Sequence, residues 1–446
     1  MDARETAMLS LNACQRQGGW SDGTLKKHLA AAGLDSRDAA LATQLCFGVI
    51  QNQLLLDFYL SKLSNTPLKR MEGKVLQILR LGAYQMLFLD KIPHSAAVNS
   101  AVSLTRSHCK NPRAPGMVNG ILRSLERSLD HLPTIPENDP VYYCSTLYSH
   151  PEWLVREFCS VLGAEETPRL LRADNEQPPM TIMVNTTRTT AAELCTKLEQ
   201  QRVECQPHPW LDNGLILSKT GDLEQLDAFQ QGLFYVQDPA SRLAILAAEP
   251  KAGMKVLDCC AAPGGKSFAA AIAMENQGSV LSCDLHPHKK TLIQAGAQRL
   301  GLDIITPATA DAKEFHPEWE KAFDLVLVDA PCSGLGVIRK KPDIRYKDPA
   351  SLEGLPDIQL SILNNAARYV RPGGVLLYST CTLLHRENEG VVETFLDGCQ
   401  DYKRVPFTLP GPVGETTCGM LTLWPHRHGT DGFFIAKLKR ECEPSG

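Results

Sequence analysis

Between Glu72 and Leu89 the apolar residues Val75, Leu76, Leu79, Ala83, Met86 and Leu87 recur at spacings of three and four, the periodicity of a helix with one buried face. Gln44 to Leu63 carries apolar residues along its whole length and reads the same way. Pro93 ends one helix and lets the next begin. Val118-Asn119-Gly120-Ile121-Leu122-Arg123 opens the last turn region of this block, so residues 1–130 predict an all-α domain. The pattern then weakens: Pro133, Pro136, Pro140 and Pro151 fall in a stretch with little periodicity, which suits a semi-rigid linker. Up to residue 239 it alternates. A helix-like segment reaches Leu171, a strand spans Met180–Val184, a helix spans Ala191–Gln200, and strands lie near Gly214–Leu217 and Leu233–Val236. Residues 131–239 are therefore a linker and a small α+β domain. Over 240–446 short apolar runs alternate with helical segments: Lys255–Cys260, Ser279–Asp284, Ile304–Pro307, Asp324–Ala330, Val375–Thr380 and Phe433–Leu438. That alternation predicts a doubly wound, mostly parallel sheet.

In such sheets ligands sit beyond the carboxyl ends of the strands, so the residues closing each run carry the chemistry. Phe323 to Asp329 stops at Ala330-Pro331-Cys332-Ser333-Gly334, and Leu376 to Thr380 stops at Cys381. Two strand ends thus deliver Asp329, Cys332 and Cys381 to one rim. The plain alternative is a carboxylate that caps a turn and a thiol that fills space. The first strand runs into Cys260-Ala261-Ala262-Pro263-Gly264-Gly265-Lys266, where glycines let a ligand approach backbone N–H groups at a helix start. Asp284 closes the next strand and Asp311 the one after, and strand-end acids there commonly hold ribose hydroxyls. Together these argue for an adenosine-bearing ligand. A triphosphate-binding loop would need glycine where Cys260 stands, and a zinc deaminase would need a cysteine where Leu335 stands.

Composition changes this picture little: 43% apolar and 22% charged residues suit a soluble globular protein, and a net charge of −4 says nothing about partners. The distribution of charge says more, since residues 1–130 carry 16 Lys and Arg against 10 Asp and Glu. A basic leading domain suits nucleic acid, although a solvated basic face explains it as well. Fifteen cysteines without a C-x-x-C pair, no leader-like segment and no run of eighteen apolar residues predict reduced thiols in a cytoplasmic protein without a membrane span. The pairs His286/His288 and His426/His428 lack the spacing of a metal site, so no metal is expected.

Residues 3–128 resemble the NusB-type helical RNA-binding domain, through L-R-L-G-A-Y-Q, K-I-P-H-S-A-A-V-N and V-N-G-I-L-R. The later motifs D-C-C-A-A-P-G-G-K-S, D-A-P-C-S-G-L-G, R-K-K-P-D-I-R-Y, S-T-C-T-L-L-H-R-E-N-E and L-W-P-H-R-H-G-T-D-G-F-F-I-A resemble bacterial 16S ribosomal RNA cytosine-5 methyltransferases of the RsmB/Sun (Fmu) type. The resemblance spans nearly the whole chain. It implies a Rossmann-like catalytic domain that uses S-adenosylmethionine, with Cys260, Ala261, Ala262, Pro263, Gly264, Gly265, Lys266, Asp284, Asp311 and Asp329 as its binding residues. It implies 16S ribosomal RNA, free or in a small-subunit precursor, as substrate.

The implied reaction begins with a cysteine thiolate adding to carbon 6 of cytosine, which makes carbon 5 nucleophilic enough to take the methyl group. Asp329 is the candidate acid at the base's ring nitrogen. Either thiol could add to carbon 6 on chemical grounds: a Pro-Cys thiol points to Cys332 and a Thr-Cys thiol to Cys381. The resemblance implies Cys381 as nucleophile and Cys332 as the group that assists product release. Arg339, Lys340, Lys341 and Arg345, with Tyr346, suit an RNA phosphate track with a stacking platform. The same chemistry on transfer RNA, or a non-catalytic RNA-binding factor, are the alternatives.

Overall fold

The apolar periodicity of the leading third becomes a set of packed helices. In the computed structural model, which describes residues 1–17 and 21–442, helix Gly73–Phe88 is buried on every side from Val75 to Met86. The sequence predicts one buried face; full enclosure also buries Gln77, Arg80 and Gln85, and each is matched by a polar partner. Arg80 forks onto Asp57 at 2.7 and 2.6 Å, Gln77 donates to Gln15 at 2.9 Å, and Gln85 accepts from Arg4 at 2.7 Å. Buried polar groups are tolerable only when so paired. The long segment predicted over Gln44–Leu63 is two helices, Ser36–Gln51 and Gln53–Leu63, bent by 77° at Asn52. Val118–Arg123 lies inside helix Ala114–Arg127, not at its opening.

The chain folds as two compact units, Met1–Glu176 with Ile338–Lys347, and Gln177–Val337 with Asp348–Gly446. The first unit thus extends beyond residue 130. The proline-rich stretch read as a linker contains helix Pro140–Tyr148, started by Asp139, whose carboxylate accepts from the backbone N–H groups of Val141 and Tyr142. Ile135, Tyr143 and Leu147 pack on Leu55 and Phe58, so local apolar burial outweighs the disruptive prolines. Helices Glu152–Leu162 and Thr167–Ala173 complete this unit.

The second unit opens with a four-stranded antiparallel sheet of β1 (Met180–Val184), β2 (Glu204–Pro207), β3 (Gly214–Ser218) and β4 (Phe234–Val236), in the order β2-β3-β1-β4. Strand β2 has no apolar signature and ends on Pro207, as an edge strand can. Cys195, on helix Ala191–Gln200, and Cys205, on β2, are joined as a disulfide with Cα atoms 5.6 Å apart. This corrects the expectation that every thiol is reduced: the turn after Gln200 folds β2 back beside the helix. The other cysteines among the described residues are free.

The large sheet contains β5 (Lys255–Asp258), β6 (Ser279–Asp284), β7 (Ile305–Thr309), β8 (Phe323–Asp329), β9 (Val370–Thr380) and β10 (Tyr402–Arg404). A separate hairpin of β11 (Phe407–Leu409) and β12 (Gly414–Thr416) follows, then β13 (Met420–Leu423) and β14 (Phe433–Arg440) rejoin the sheet. Its order is β10-β14-β9-β8-β5-β6-β7, with β13 on β14; β5 to β9 are mutually parallel and β14 runs antiparallel to β9. The chain winds outward from β5 through β6 to β7, then returns to lay β8 on the other side of β5. The winding therefore reverses between β5 and β8, and the crevice at that reversal is where such sheets bind ligands. Among the described residues no single helix is long and apolar enough to cross a membrane.

Candidate active site

The reversal point places three loops together. The loop after β5 turns at Gly264, whose backbone is left-handed (φ +115°) and where an added Cβ would lie 2.3 Å from the Phe268 ring. Only glycine fits there, and helix Gly265–Ala273 starts from it. The Ala262 N–H donates to Asp284 at 3.2 Å, so the acid closing β6 pins the glycine loop. Lys289 approaches the same carboxylate at 3.4 Å. Asp311 lies two residues beyond the end of β7, in a loop and not on the strand, with its carboxylate accepting from the Lys313 N–H at 2.9 Å. Cys259 packs in the apolar core, and burial pushes its thiol and that of Cys260 up. Beneath the loop, Asp258 is fully buried, accepts from the Ser267 hydroxyl at 2.7 Å, and is pushed up to about 7 by burial.

Lys266, assigned from sequence to the ligand loop, points its ammonium to Asp329 at 2.7 Å and to the Ser241 hydroxyl at 2.9 Å, over the Phe433 ring at 5.0 Å. The other Asp329 oxygen accepts from the Ser379 hydroxyl at 2.9 Å. The carboxylate at the end of β8 is thereby fixed from two sides.

Sulfur to sulfur, Cys332 and Cys381 stand 3.4 Å apart. The backbone brings them there. The Ala330 N–H donates to the Ser379 carbonyl at 2.9 Å, extending the β8–β9 pairing past the strand end, and the Gly336 N–H donates to the Cys381 carbonyl at 2.9 Å. Gly336 and Gly432 lie so close that a Cβ on either would strike the other's backbone. The two thiols meet unequal electrostatic surroundings. A hydrogen bond from Cys332, with Lys266 adding its charge, holds Cys381 below the usual thiol range despite burial. The same hydrogen bond, burial and the nearby carboxylates Glu387 and Asp329 hold Cys332 well above it. Of the two, Cys381 is the thiol whose surroundings favour ionisation and Cys332 the one whose surroundings oppose it.

The profile of the 16S rRNA methyltransferase RsmB/F family matches residues 245–439, that of the NusB family residues 1–127, and that of the ferredoxin-like domain of RsmF/B-like methyltransferases residues 150–224. A probable ribosomal RNA small subunit methyltransferase B of Bacillus subtilis is 39% identical over 98% of both chains. The chain belongs to the RsmB/F methyltransferase family. Ribosomal RNA small subunit methyltransferase B of Vibrio cholerae is 32% identical over 91% of this chain and 90% of that one. Among solved structures, PH0851 matches with a TM-score of 0.80 at 26% identity over 99% of both chains. A methyltransferase homolog protein from Pyrococcus horikoshii matches with a TM-score of 0.59 at 26% identity over 67% of this chain and 97% of that one. This RsmB/F methyltransferase thus has a NusB domain, a ferredoxin-like middle domain and a methyltransferase domain.

The basic segment after the Cys332 loop divides. Lys340 and Lys341 are exposed and Arg339 is partly so. Arg345 is not an RNA contact: it is fully buried inside the helical unit. Its Nη1 faces the carbonyl oxygens of Gln51, Tyr148 and Ser149 at 3.2, 3.3 and 3.2 Å and Asn175 Oδ1 at 2.9 Å, and its Nη2 faces the Asp174 carbonyl at 3.4 Å. Tyr346 is not a stacking platform either, because its ring packs on the helical core and its hydroxyl donates to the Ile50 carbonyl at 3.0 Å. Alternating cations and aromatics look alike whether they meet phosphate or backbone carbonyls; the difference lies in residues far away along the chain.

Several residues of the methyltransferase site have no isolated sequence signal. Ser379 and Ser241 hold the Asp329–Lys266 pair, and Ser333, Gln359, Thr382 and Glu387 hold the thiol loops. Only the R-E-N-E part of the motif after Cys381 pointed to Glu387, without a role.

Proposed function

We propose that this RsmB/F methyltransferase transfers the methyl group of S-adenosylmethionine to carbon 5 of a cytosine in 16S ribosomal RNA, through a covalent adduct with Cys381. The observation that carries the reading is the pair of strand-end thiols, 3.4 Å apart beside the Lys266–Asp329 ion pair. The residues present suit S-adenosylmethionine. The left-handed Gly264 turn starts helix Gly265–Ala273, whose first N–H groups can meet a ligand, and Asp284 stands at the end of β6 where a ribose would lie. When bound, the cofactor supplies an electrophilic sulfonium methyl. The names of the relatives, small-subunit ribosomal RNA methyltransferases, support 16S ribosomal RNA over other RNAs.

The chain's own groups perform the remaining steps. Cys381 adds to carbon 6 as thiolate, and its electron pair shifts density toward carbon 5. Asp329, oriented by Lys266 and Ser379, faces the ring nitrogen, and the base must be unstacked to reach it. Carbon 5 takes the methyl group. Cys332 gives its thiol proton to the departing Cys381 sulfur as the bond to carbon 6 breaks, and the Cys332 thiolate so formed takes the carbon-5 proton as the 5,6 double bond re-forms. Lys340 and Lys341 are exposed, and we assign them to phosphates of the bound strand.

Mapping 5-methylcytosine in 16S ribosomal RNA from cells with and without the gene tests this. One site that disappears with the gene, and that returns with the purified protein and labelled S-adenosylmethionine, is expected. Label arriving only in transfer RNA, or at an atom other than carbon 5, would overturn it.

A further inference from the structure

The two thiol loops share one buried anion. Glu387 has no exposed surface. Its Oε2 accepts from the Ser333 backbone N–H at 2.9 Å and from Gln359 Nε2 at 2.8 Å, and its Oε1 lies 3.4 Å from the Thr382 hydroxyl. Its own carbonyl accepts from the Tyr378 hydroxyl at 2.7 Å. Ser333 follows Cys332 and Thr382 follows Cys381, and their hydroxyls are 2.6 Å apart. Gln359, on helix Leu355–Tyr369, also donates to the Pro331 carbonyl at 3.0 Å. The residues on both sides of Cys332, and the one after Cys381, are thus tied to a single carboxylate and its amide partner.

Packing alone does not call for this residue. An apolar side chain of the same volume would fill the space without desolvating a charge. The arrangement has a geometric result instead. The β8–β9 ladder reaches only to Ala330, and Cys332 lies two residues beyond it in a loop without regular structure. To the Ser333–Thr382 and Gly336–Cys381 contacts that join the two loops, Glu387 adds its bonds to the Ser333 backbone and to Gln359.

We infer that Glu387 is a positioning residue: it fixes the Cys332 loop against the Cys381 loop, so that the Cys332 sulfur stands beside the Cys381 sulfur when the latter leaves carbon 6. The inference rests on the thiol roles proposed above. In the step it serves, the Cys381–carbon 6 bond breaks with its electrons on sulfur, Cys332 gives its proton to that sulfur, and the Cys332 thiolate takes the proton lost by carbon 5 as the 5,6 double bond forms. The bond to carbon 6 is made by Cys381, so a displaced Cys332 loop slows release more than attack, which loses only the hydrogen bond that favours ionisation of Cys381. The nearby negative charge also helps keep Cys332 protonated, as the exchange requires.

The experiment compares full-length wild type, Cys332→Ala, Glu387→Gln and Gln359→Met with a 16S ribosomal RNA transcript. It reads steady-state turnover, covalent protein–RNA adduct on a denaturing gel, and S-adenosylmethionine affinity by calorimetry. Glu387→Gln is expected to bind the cofactor like wild type, to turn over at least about tenfold more slowly, as misplacement of a reacting group by a fraction of an ångström does, and to accumulate adduct. Gln359→Met is expected to move the same way by less, and it decides the matter if Glu387→Gln does not fold. If Cys332→Ala traps adduct while neither Glu387→Gln nor Gln359→Met does, this inference fails and the thiol roles stand. If Cys332→Ala traps none, the thiol roles fail and the inference falls with them.

Discussion

Replacing Arg345 by methionine separates the two roles that its sequence surroundings suggest. The side chain is fully buried and its guanidinium faces five oxygens within 3.4 Å. Nη1 has only two hydrogens for four of these, so about three bonds are well made at once. Hydrogen bonds from a charged donor contribute about 1.5–3 kcal/mol each, and removing the donor leaves buried carbonyls unpaired at about 1–3 kcal/mol each. Against this, methionine removes the cost of burying a cation, the same effect that holds the guanidinium below its usual range. The balance is a loss of about 3 kcal/mol, with the range for breaking a buried charged network at about 3–5 kcal/mol. The loss is local to the helical unit, so amide hydrogen exchange by mass spectrometry is the suitable readout. Peptides covering Gln51, Ser149 and Asn175 should exchange roughly a hundredfold faster, the factor for about 3 kcal/mol. The salt dependence of RNA binding should not change. If exchange stays as in wild type while the salt slope falls by about one phosphate contact, Arg345 is an RNA ligand and the buried network carries no stability.

The thiol assignment predicts that Cys381→Ala abolishes methyl transfer and forms no adduct, whereas Cys332→Ala forms an adduct that co-migrates with RNA on a denaturing gel; the reverse pattern would exchange their roles. Asp284→Ala should weaken S-adenosylmethionine binding by about 1–3 kcal/mol, the worth of charge-assisted bonds, with unchanged affinity in a folded variant counting against the ribose role. Lys340→Ala with Lys341→Ala should reduce the slope of log affinity against log salt by about 0.7 per lost phosphate contact on single-stranded RNA, and an unchanged slope would remove both from the RNA path. His150 is fully buried, 3.6 Å from Asp174, and burial, with the Arg345 charge, holds it well below its usual value. The unfolded chain therefore binds the extra proton first. The helical unit should keep full stability above about pH 6.5 and lose up to about 1.4 kcal/mol per pH unit below it; in thermal melts, an acid-induced loss that persists unchanged in His150→Gln would assign that loss to other groups.

Much of the chain was legible in its residues. Short apolar runs closed by Asp284, Asp329 and Cys381 read as strands ending at a rim, and periodicities of three and four read as packed helices. Helix Ala191–Gln200 carries its own boundary as a capping box between Thr190 and Glu193. The loop from Cys260 to Gly265 announced a close approach because Gly264 must adopt a left-handed backbone. These features are local, and local sequence determines them. Other features depend on which strands become neighbours. Only the adjacency of β8 and β9 sets Cys332 against Cys381, makes one thiol depress the other, and gives Glu387 two loops to join. Only the excursion of Ile338–Lys347 into the helical unit turns Arg345 from a surface cation into a buried anchor. Likewise, burial of Ile135, Tyr143 and Leu147 turned a proline-rich stretch into part of a core. In each case the deciding energy is desolvation, which depends on what surrounds a side chain in space, and for these residues the surroundings come from segments remote in the sequence.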